Sequence, residues 1–457
     1  MTTTEQTEPK TGRAKEPKPR RRRGEGSIAQ EASGLYVARV TLPPDPITGK
    51  RRVKKVTSMN EKEIVKKLNA LKRNLQDHGD LPTGSETVAK YMRYWHESVN
   101  RSRPTTRAGY RSSIEQHIIP AIGKIKLDKL TTDDVRKIEK SIIGKGLSSS
   151  TARIAHQVLA KALKDAEREG RVLYNVARRV DPPPIAATRL AELSIPDAVK
   201  VLQTVKDDRL ASRWAAALVY GARQGEALGL EIDRVDFMRN EIDVSWQLQK
   251  IDYRHGKKCL PVGEYENGRK RYECGHNQAR ACPTRWLDAP ANWEHRHLTG
   301  SLYLSRPKTS SGWRVIPLVE PFREILRQRV LVAQSEPNPF GLVWTSEPKH
   351  SIGGAKTRPL LPLDGSPIAP STDNYAWHAA LDRAGVQSVR LHDARHTAIT
   401  LMYDLGIPET VIQDIVGQSV VAVTRKYRNK LPAHMQVALA QVGAVLFPTE
   451  APLAIEQ

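Results

Sequence analysis

The chain has 457 residues, 39% of them hydrophobic and 27% charged, with a formal net charge of +23. This length corresponds to about three domains, and no apolar run approaches the roughly 18 residues of a transmembrane helix. The three cysteines exclude a disulfide scaffold and favour a reducing compartment, while the charge surplus calls for a polyanionic partner.

Residues 1–23 lack aromatic residues and Leu, Ile and Val, and end in Arg20, Arg21, Arg22 and Arg23. They predict a disordered basic arm. From Gly34 the alternating pattern of GLYVARVTL and then RRVKKV (51–56) predicts two strands. Ile64, Val65, Leu68, Leu71 and Leu75 space a helix over 60–77. These elements make a small basic domain at 24–80, followed by a DLPTGS linker.

Residues 85–180 predict an all-helical domain. Val88, Tyr91, Met92 and Trp95 recur at helical spacing. A second helix spans 105–118 and stops near Pro120. Thr131 or Thr132 caps a third, with Asp133 and Asp134 at its positive end, and a fourth runs from Ser149 to Glu169. The DPPP run at 181–184 marks the main boundary. The region 185–447 is mostly helical, with strand-like runs at 241–248, 301–305 and 313–318, and 448–457 reads as a disordered tail. Val437, Ala438, Val442 and Val445 give a late apolar face, for packing on its own core or on a neighbouring copy.

Nucleic acid is the expected polyanion, because each phosphate neutralised by Lys or Arg releases counterions. An anionic membrane would call for a basic amphipathic helix or a lipidation signal. Neither stands out, and the positive charge is spread along the chain. With no apolar h-region behind the basic N-terminus, no secretory signal is expected, and the expected location is cytoplasmic and nucleoid-associated.

Three patterns in the last region carry chemistry as a set: ALVYGARQGEALGL (217–230), LHDARHTAITLM (391–402) and IVGQSVVAVTRKYRN (415–429). Singly, each of their Arg, His and Tyr residues has an ordinary structural reading. In order and spacing they resemble the tyrosine recombinases of the phage integrase family. The family's G-x-R-x-G-E-x-x-x-L segment is matched by Gly221, Arg223, Gly225, Glu226 and Leu230, and its H-x-x-R by His392 and Arg395, with His396 following. Its nucleophilic tyrosine, nine residues after a Gly-His pair, is matched by Tyr427, nine after Gln418. Lys308 in SRPKTSSGWRVIPL stands where the family has a β-hairpin lysine.

The resemblance implies a mainly α, multidomain fold. An arm-binding domain of three strands and a helix precedes a helical, SAM-like core-binding domain, and a mixed α+β catalytic domain of the DNA breaking–rejoining type follows. It implies double-stranded DNA at core and arm sites as partner, and a tetramer of this chain on paired DNA sites. It leaves room for an excision factor and a host DNA-bending protein.

The chemistry suits these residues. A phosphodiester under attack gathers negative charge on its non-bridging oxygens, and the planar, permanently charged fork of Arg binds two of them. Arg223 and Arg395 would clamp the scissile phosphate while Tyr427 attacks phosphorus and forms a 3′-phosphotyrosyl link. His392 would help accept the proton of a phenol whose pKa is near 10, and Lys308 would protonate the leaving 5′-oxygen. The bond energy stays in the ester, so no ATP and no catalytic metal are expected. Gln418 departs from the usual His or Trp: it donates a hydrogen bond but carries no charge. That departure is the support for the alternative, a catalytically weakened DNA-binding regulator on the same fold. Asp393 and Glu226 read as structural, the first capping its helix and the second holding Arg223.

The polar insertion 249–300 holds all three cysteines. Cys259, Cys274, His276 and Cys282 form a C-x14-C-x-H-x5-C pattern, a set of thiolates and an imidazole suited to structural zinc. The plainer reading is three incidental thiols.

Overall fold

The computed structural model describes residues 26–44, 49–79, 81, 86–184, 192–265, 270–307, 313–348, 360–417 and 433–448. The expected basic arm 1–23, Lys308, Gln418 and Tyr427 lie outside them, as do residues 449–457 of the expected tail. The chain divides into two compact units, one comprising 1–101 with 106–186, the other 102–105 with 187–457.

The first unit opens on an antiparallel sheet of Ser27–Gln30, Tyr36–Leu42 and Arg52–Ser58, in that order. Its register sets Ser27 opposite Arg39 and Leu42 opposite Arg52. The helix Glu61–His78 covers one face, capped by the Asn60 side chain, which accepts from Glu63 N, and closed by left-handed Gly79. Ala38, Val40, Leu42, Ile64, Leu68 and Leu81 form the core between them. On the other face Arg39 pairs with Lys55 across the strands, two cations that an anion would relieve; Lys55 also has Glu31 at 3.6 Å.

The rest of this unit is helical, around Tyr91, Met92, Trp95, Ile118, Ile142 and Leu159. Thr131 is the N-cap of the helix Thr132–Ile143, in a reciprocal box with Asp134. Trp95 Nε1 donates to Asp165 at 2.8 Å and Tyr91 Oη to the Ala162 carbonyl at 3.0 Å. These bonds give two large core aromatics polar partners on the helix Ser149–Arg168. Pro120 does not stop its helix as expected. A π turn over Ile114–Ile118 leads into Ile119–Ile122, and the missing Pro N–H falls where the hydrogen-bond register changes.

In the second unit the helix Ala211–Val219 is buried along nearly its whole length, the pattern of a central core helix. Trp214 on it packs on Trp377, with ring centroids 5.3 Å apart. The strand expected at 241–248 is two strands. Glu241–Val244 lies between Arg314–Pro317 and Val235–Asp236, whereas Gln247–Lys250 pairs with Leu302–Ser305 in another sheet. The chain leaves one sheet for the other at Ser245–Trp246. The C-terminal helix Ala433–Leu446 buries Met435, Ala438, Leu439, Val442 and Leu446 in its own unit's core. The apolar face therefore packs within the chain, and Val437 is exposed. Among the described residues no helix is long and apolar enough to cross a membrane.

Candidate active site

An α-helix ends with carbonyls that have no intrahelical partner and with the negative end of its dipole. The helix Glu409–Val416 ends so, at left-handed Gly417 with φ 68°. Three arginines from three different elements supply the missing donors. Arg314 Nε donates to the Ile415 carbonyl at 2.7 Å, Arg395 Nη2 to Val416 at 2.7 Å, and Arg223 Nη2 to Gly417 at 2.8 Å. This gathers Arg223 and Arg395, distant in sequence, at the point where the chain leaves for Gln418 and Tyr427.

Arg223 stands immediately before the short helix Gln224–Leu228. That helix lies directly on the strand Gln247–Lys250, for a Cβ at Gly229 would meet Leu248 N at 2.5 Å and one at Gly225 would meet Leu248 O at 2.7 Å. Glu226, on the first turn of the same helix, accepts from Arg223 N at 3.1 Å and from Arg223 Nη1 at 2.7 Å. From the other side Arg314 makes a bidentate pair with Glu226, at 3.1 and 2.9 Å. Burial alone would raise the Glu226 carboxyl, but the Arg314 guanidinium and then Arg223 hold it down at about 2. Glu226 is thus an ionised anchor between two cations. The Arg223 side chain is 35% exposed against 7% for Arg314, so Arg223 can receive an anion while Arg314 is committed to the interior.

Arg395, only 3% exposed, sits on the helix Leu391–Asp404 and also donates from Nη1 to the Gly221 carbonyl at 2.5 Å. Gly221 has φ +57°, and a Cβ there would meet Val416 Cγ1 at 3.3 Å and Arg395 Cγ at 3.4 Å. The glycine is required both for its left-handed backbone and for the approach of Arg395. Burial first, and the Arg223 charge next, push Arg395 down to about 9, which leaves it charged at neutral pH. An incoming anion between the two would relieve their repulsion.

His392 is exposed one turn ahead of Arg395. Its pKa is lowered by crowding from neighbouring atoms, then by His396 and Arg395. Its ring stands edge-on to His396, with centroids 5.4 Å apart. Asp393, on the same turn, accepts from Arg390 N at 3.1 Å and caps the helix. A lowered imidazole is neutral at pH 7 and can accept a proton. The reaction should therefore hold its rate down to below about pH 6.5, the ordinary imidazole value, and lose it only under that. A pH profile of single-turnover strand cleavage checks this; an acidic limb above that value, or one unchanged in His392→Gln, would remove His392 from the reaction.

Arg314 was not among the residues expected from sequence. Its signal was phase: Arg314 shares a strand face with buried Ile316, while Val315 between them is 42% exposed. An arginine in step with a buried face requires an acidic partner.

The Cys/His set needs a correction. His255, Cys259, Cys274 and Cys282 present ligand atoms all within 4.8 Å of one another, and His276 is not among them. Gly275 at φ +76° turns the chain directly after Cys274, leaving the His276 side chain exposed. His255, which follows the strand Tyr253–Arg254 paired with Trp286–Leu287, takes its place.

Comparison with known proteins bears on the family and the fold. Residues 87–142 match the model of the phage integrase N-terminal SAM-like domain, and residues 280–434 match that of the phage integrase family. An integrase of Saccharopolyspora erythraea is 27% identical over 421 residues, 89% of this chain and 93% of that protein. A XerC-like tyrosine recombinase of Caldanaerobacter subterraneus subsp. tengcongensis is 21% identical over 407 residues, 87% of this chain and 93% of that protein. The Tn1549 transposon integrase, solved in complex with transposon right end DNA, shares the fold at a TM-score of 0.53 and 18% identity. That likeness covers 73% of this chain and 92% of that one. Two phage integrase family models match parts of the chain, and the relatives matched along nearly their whole length are an integrase and a XerC-like tyrosine recombinase, so the chain is similar to the tyrosine recombinases of the phage integrase family.

Proposed function

We propose that this chain cuts and rejoins duplex DNA at specific sites through a 3′-phosphotyrosyl link to Tyr427, and integrates a phage or other mobile element. The observation that carries the reading is the convergence of Arg223 and Arg395 on the carbonyls of Val416 and Gly417. Those two cations are the groups a pentacoordinate phosphate needs, and the chain that bears Tyr427 departs from the carbonyls they hold.

The Tyr427 oxygen attacks phosphorus and its proton passes toward His392. The 5′-oxygen leaves with a proton from Lys308, and Gln418 donates a hydrogen bond to a non-bridging oxygen. Attack by the 5′-hydroxyl of the partner strand then reverses these steps and releases Tyr427, so the ester conserves the bond energy and the reaction draws on neither ATP nor a catalytic metal. The helical domain around 85–180 binds the core site together with the catalytic unit. The sheet face with Arg39 and Lys55 binds arm sites, and four copies assemble on two DNA sites. An excision factor and a host DNA-bending protein belong to the same reading, as does a cytoplasmic, nucleoid-associated place of action.

The test is recombination between two DNA molecules carrying the sites that the protein protects, sought first in the DNA flanking its own gene. Recombinant product is expected with the native chain and none with Tyr427→Phe or Arg223→Ala at undiminished DNA binding. Tight, specific binding with no product and no junction intermediate would favour the regulator reading, for which Gln418 speaks, and Gln418→His would then be expected to restore exchange.

A further inference from the structure

We propose that His255, Cys259, Cys274 and Cys282 bind one zinc ion that holds together the insertion between the strands Gln247–Lys250 and Leu302–Ser305. This goes beyond the recombinase reading and does not depend on it.

The distances are those of a tetrahedral site. Bonds of about 2.3 Å from zinc to sulfur and about 2.0 Å to nitrogen, at tetrahedral angles, set sulfur and nitrogen roughly 3.5 Å apart and two sulfurs roughly 3.8 Å apart. His255 Nδ1 lies 3.5 Å from Cys274 Sγ and 3.8 Å from Cys259 Sγ, and all four ligand atoms fall within 4.8 Å of one another. The three cysteines are free thiols. Three free thiols around one imidazole are the donor set of a Cys3His zinc site.

The ligands come from separate turns, and their positions show what the ion would hold. Cys259 lies two residues before the strand Pro261–Glu264 and Cys274 two after Lys270–Tyr272, so they mark the two feet of one hairpin. The first strand of that hairpin is exposed at every residue. The local core is small, Ile251, Trp293 and Tyr303 being its buried members, and none of the hairpin's described residues belongs to it. A segment with this little apolar burial needs a staple.

The surroundings hold the ligands in place. The His255 ring stacks on Tyr272, with centroids 3.6 Å apart and an angle of 11°. That fixes the imidazole plane with Nδ1 toward the sulfurs. Gly256 admits Thr284 so closely that a Cβ would lie 2.2 Å from its Oγ1, which brings the His255 turn against the Cys282 turn. Thr284 Oγ1 lies 3.4 Å from Cys282 Sγ, in place to donate to a thiolate. Four protein ligands leave no open position, so the ion is structural and takes no part in strand exchange.

The full-length protein, produced with zinc in the medium and freed of loose metal, is assayed for bound metal by elemental analysis. About one zinc per chain is expected. His255→Ala and Cys274→Ser should retain less than about half of it, while His276→Ala retains all. Because the first two variants would also loosen the insertion, hydrogen exchange on the native protein is compared before and after chelation. Amides of 253–287 should lose protection and those of Leu391–Asp404 keep theirs. A native protein without zinc, or zinc lost in His276→Ala but kept in His255→Ala, would overturn the assignment.

Discussion

Replacing Arg395 by alanine is expected to lower strand cleavage by about a thousandfold or more, the scale of removing a donor aimed at developing negative charge. Arg395 is buried, charged and held by two carbonyls, at Gly221 and Val416, so its guanidinium is set in position before DNA arrives and little reorganisation accompanies the reaction. The same replacement leaves both carbonyls without their donor, at about 1–3 kcal/mol each where they are buried, so unfolding by denaturant should also come earlier. Arg395→Lys separates the two effects. It keeps the charge and part of the packing but loses the planar fork, and is expected to recover stability more than cleavage. Single-turnover cleavage of a nicked substrate, measured beside DNA binding, reads this directly. Cleavage by Arg395→Ala within about tenfold of the native rate would take Arg395 out of transition-state stabilisation.

The second large effect is expected at Arg314, a residue that touches no substrate in the proposed reaction. Arg314→Ala strips the buried Glu226 of its bidentate partner, and breaking such a pair on one side costs about 3–5 kcal/mol. The catalytic unit should unfold at markedly lower denaturant. Arg223 must then serve Glu226 alone, so cleavage should fall further than stability explains. Pairing Arg314→Met with Glu226→Leu removes both charges from the interior and should return much of the stability without returning cleavage, because Arg223 loses the carboxylate that aims it. The pH dependence follows from the same pair. Glu226 titrates well below an unfolded glutamate, which lies near 4.3. Its contribution is therefore complete above that value and is lost as pH falls toward about 2. Acid unfolding of the catalytic unit should begin at higher pH in Arg314→Ala. Acid and denaturant midpoints equal to those of the native chain would show Arg314 to be a bystander.

The parts of this molecule that could be read in its sequence are those whose function requires residues at short, fixed spacing. His392 and Arg395 share a helix turn, and Gly221 and Arg223 lie directly before the helix turn that carries Glu226, so each box is visible locally. What brings the boxes together is not local. The carbonyls of Ile415, Val416 and Gly417 are backbone groups and leave no mark in the sequence, and Arg314 reaches Glu226 across 88 positions. The imidazole beside the three thiols differs from the one expected from sequence for a related reason. His276 is nearest to Cys274 along the chain, but the turn at Gly275 leaves it outside, and strand pairing returns His255 across 19 positions to within 3.5 Å of the Cys274 sulfur. The strand pattern at 241–248 was legible as extended chain but not as two strands, because alternation does not reveal which sheet each half joins.

The measurement that bears most directly on the recombinase reading is the chemical identity of a trapped protein–DNA bond. A nicked substrate whose cut strand drifts away after cleavage is incubated with the protein, denatured, digested and analysed by mass spectrometry. A peptide containing Tyr427 joined to a DNA 3′-phosphate is expected, absent in Tyr427→Phe and retained in Lys258→Ala, a change in the insertion at a residue with no part in the proposed reaction. A bond to another residue, a 5′-linked phosphate, or no adduct on DNA that the protein demonstrably occupies would contradict it.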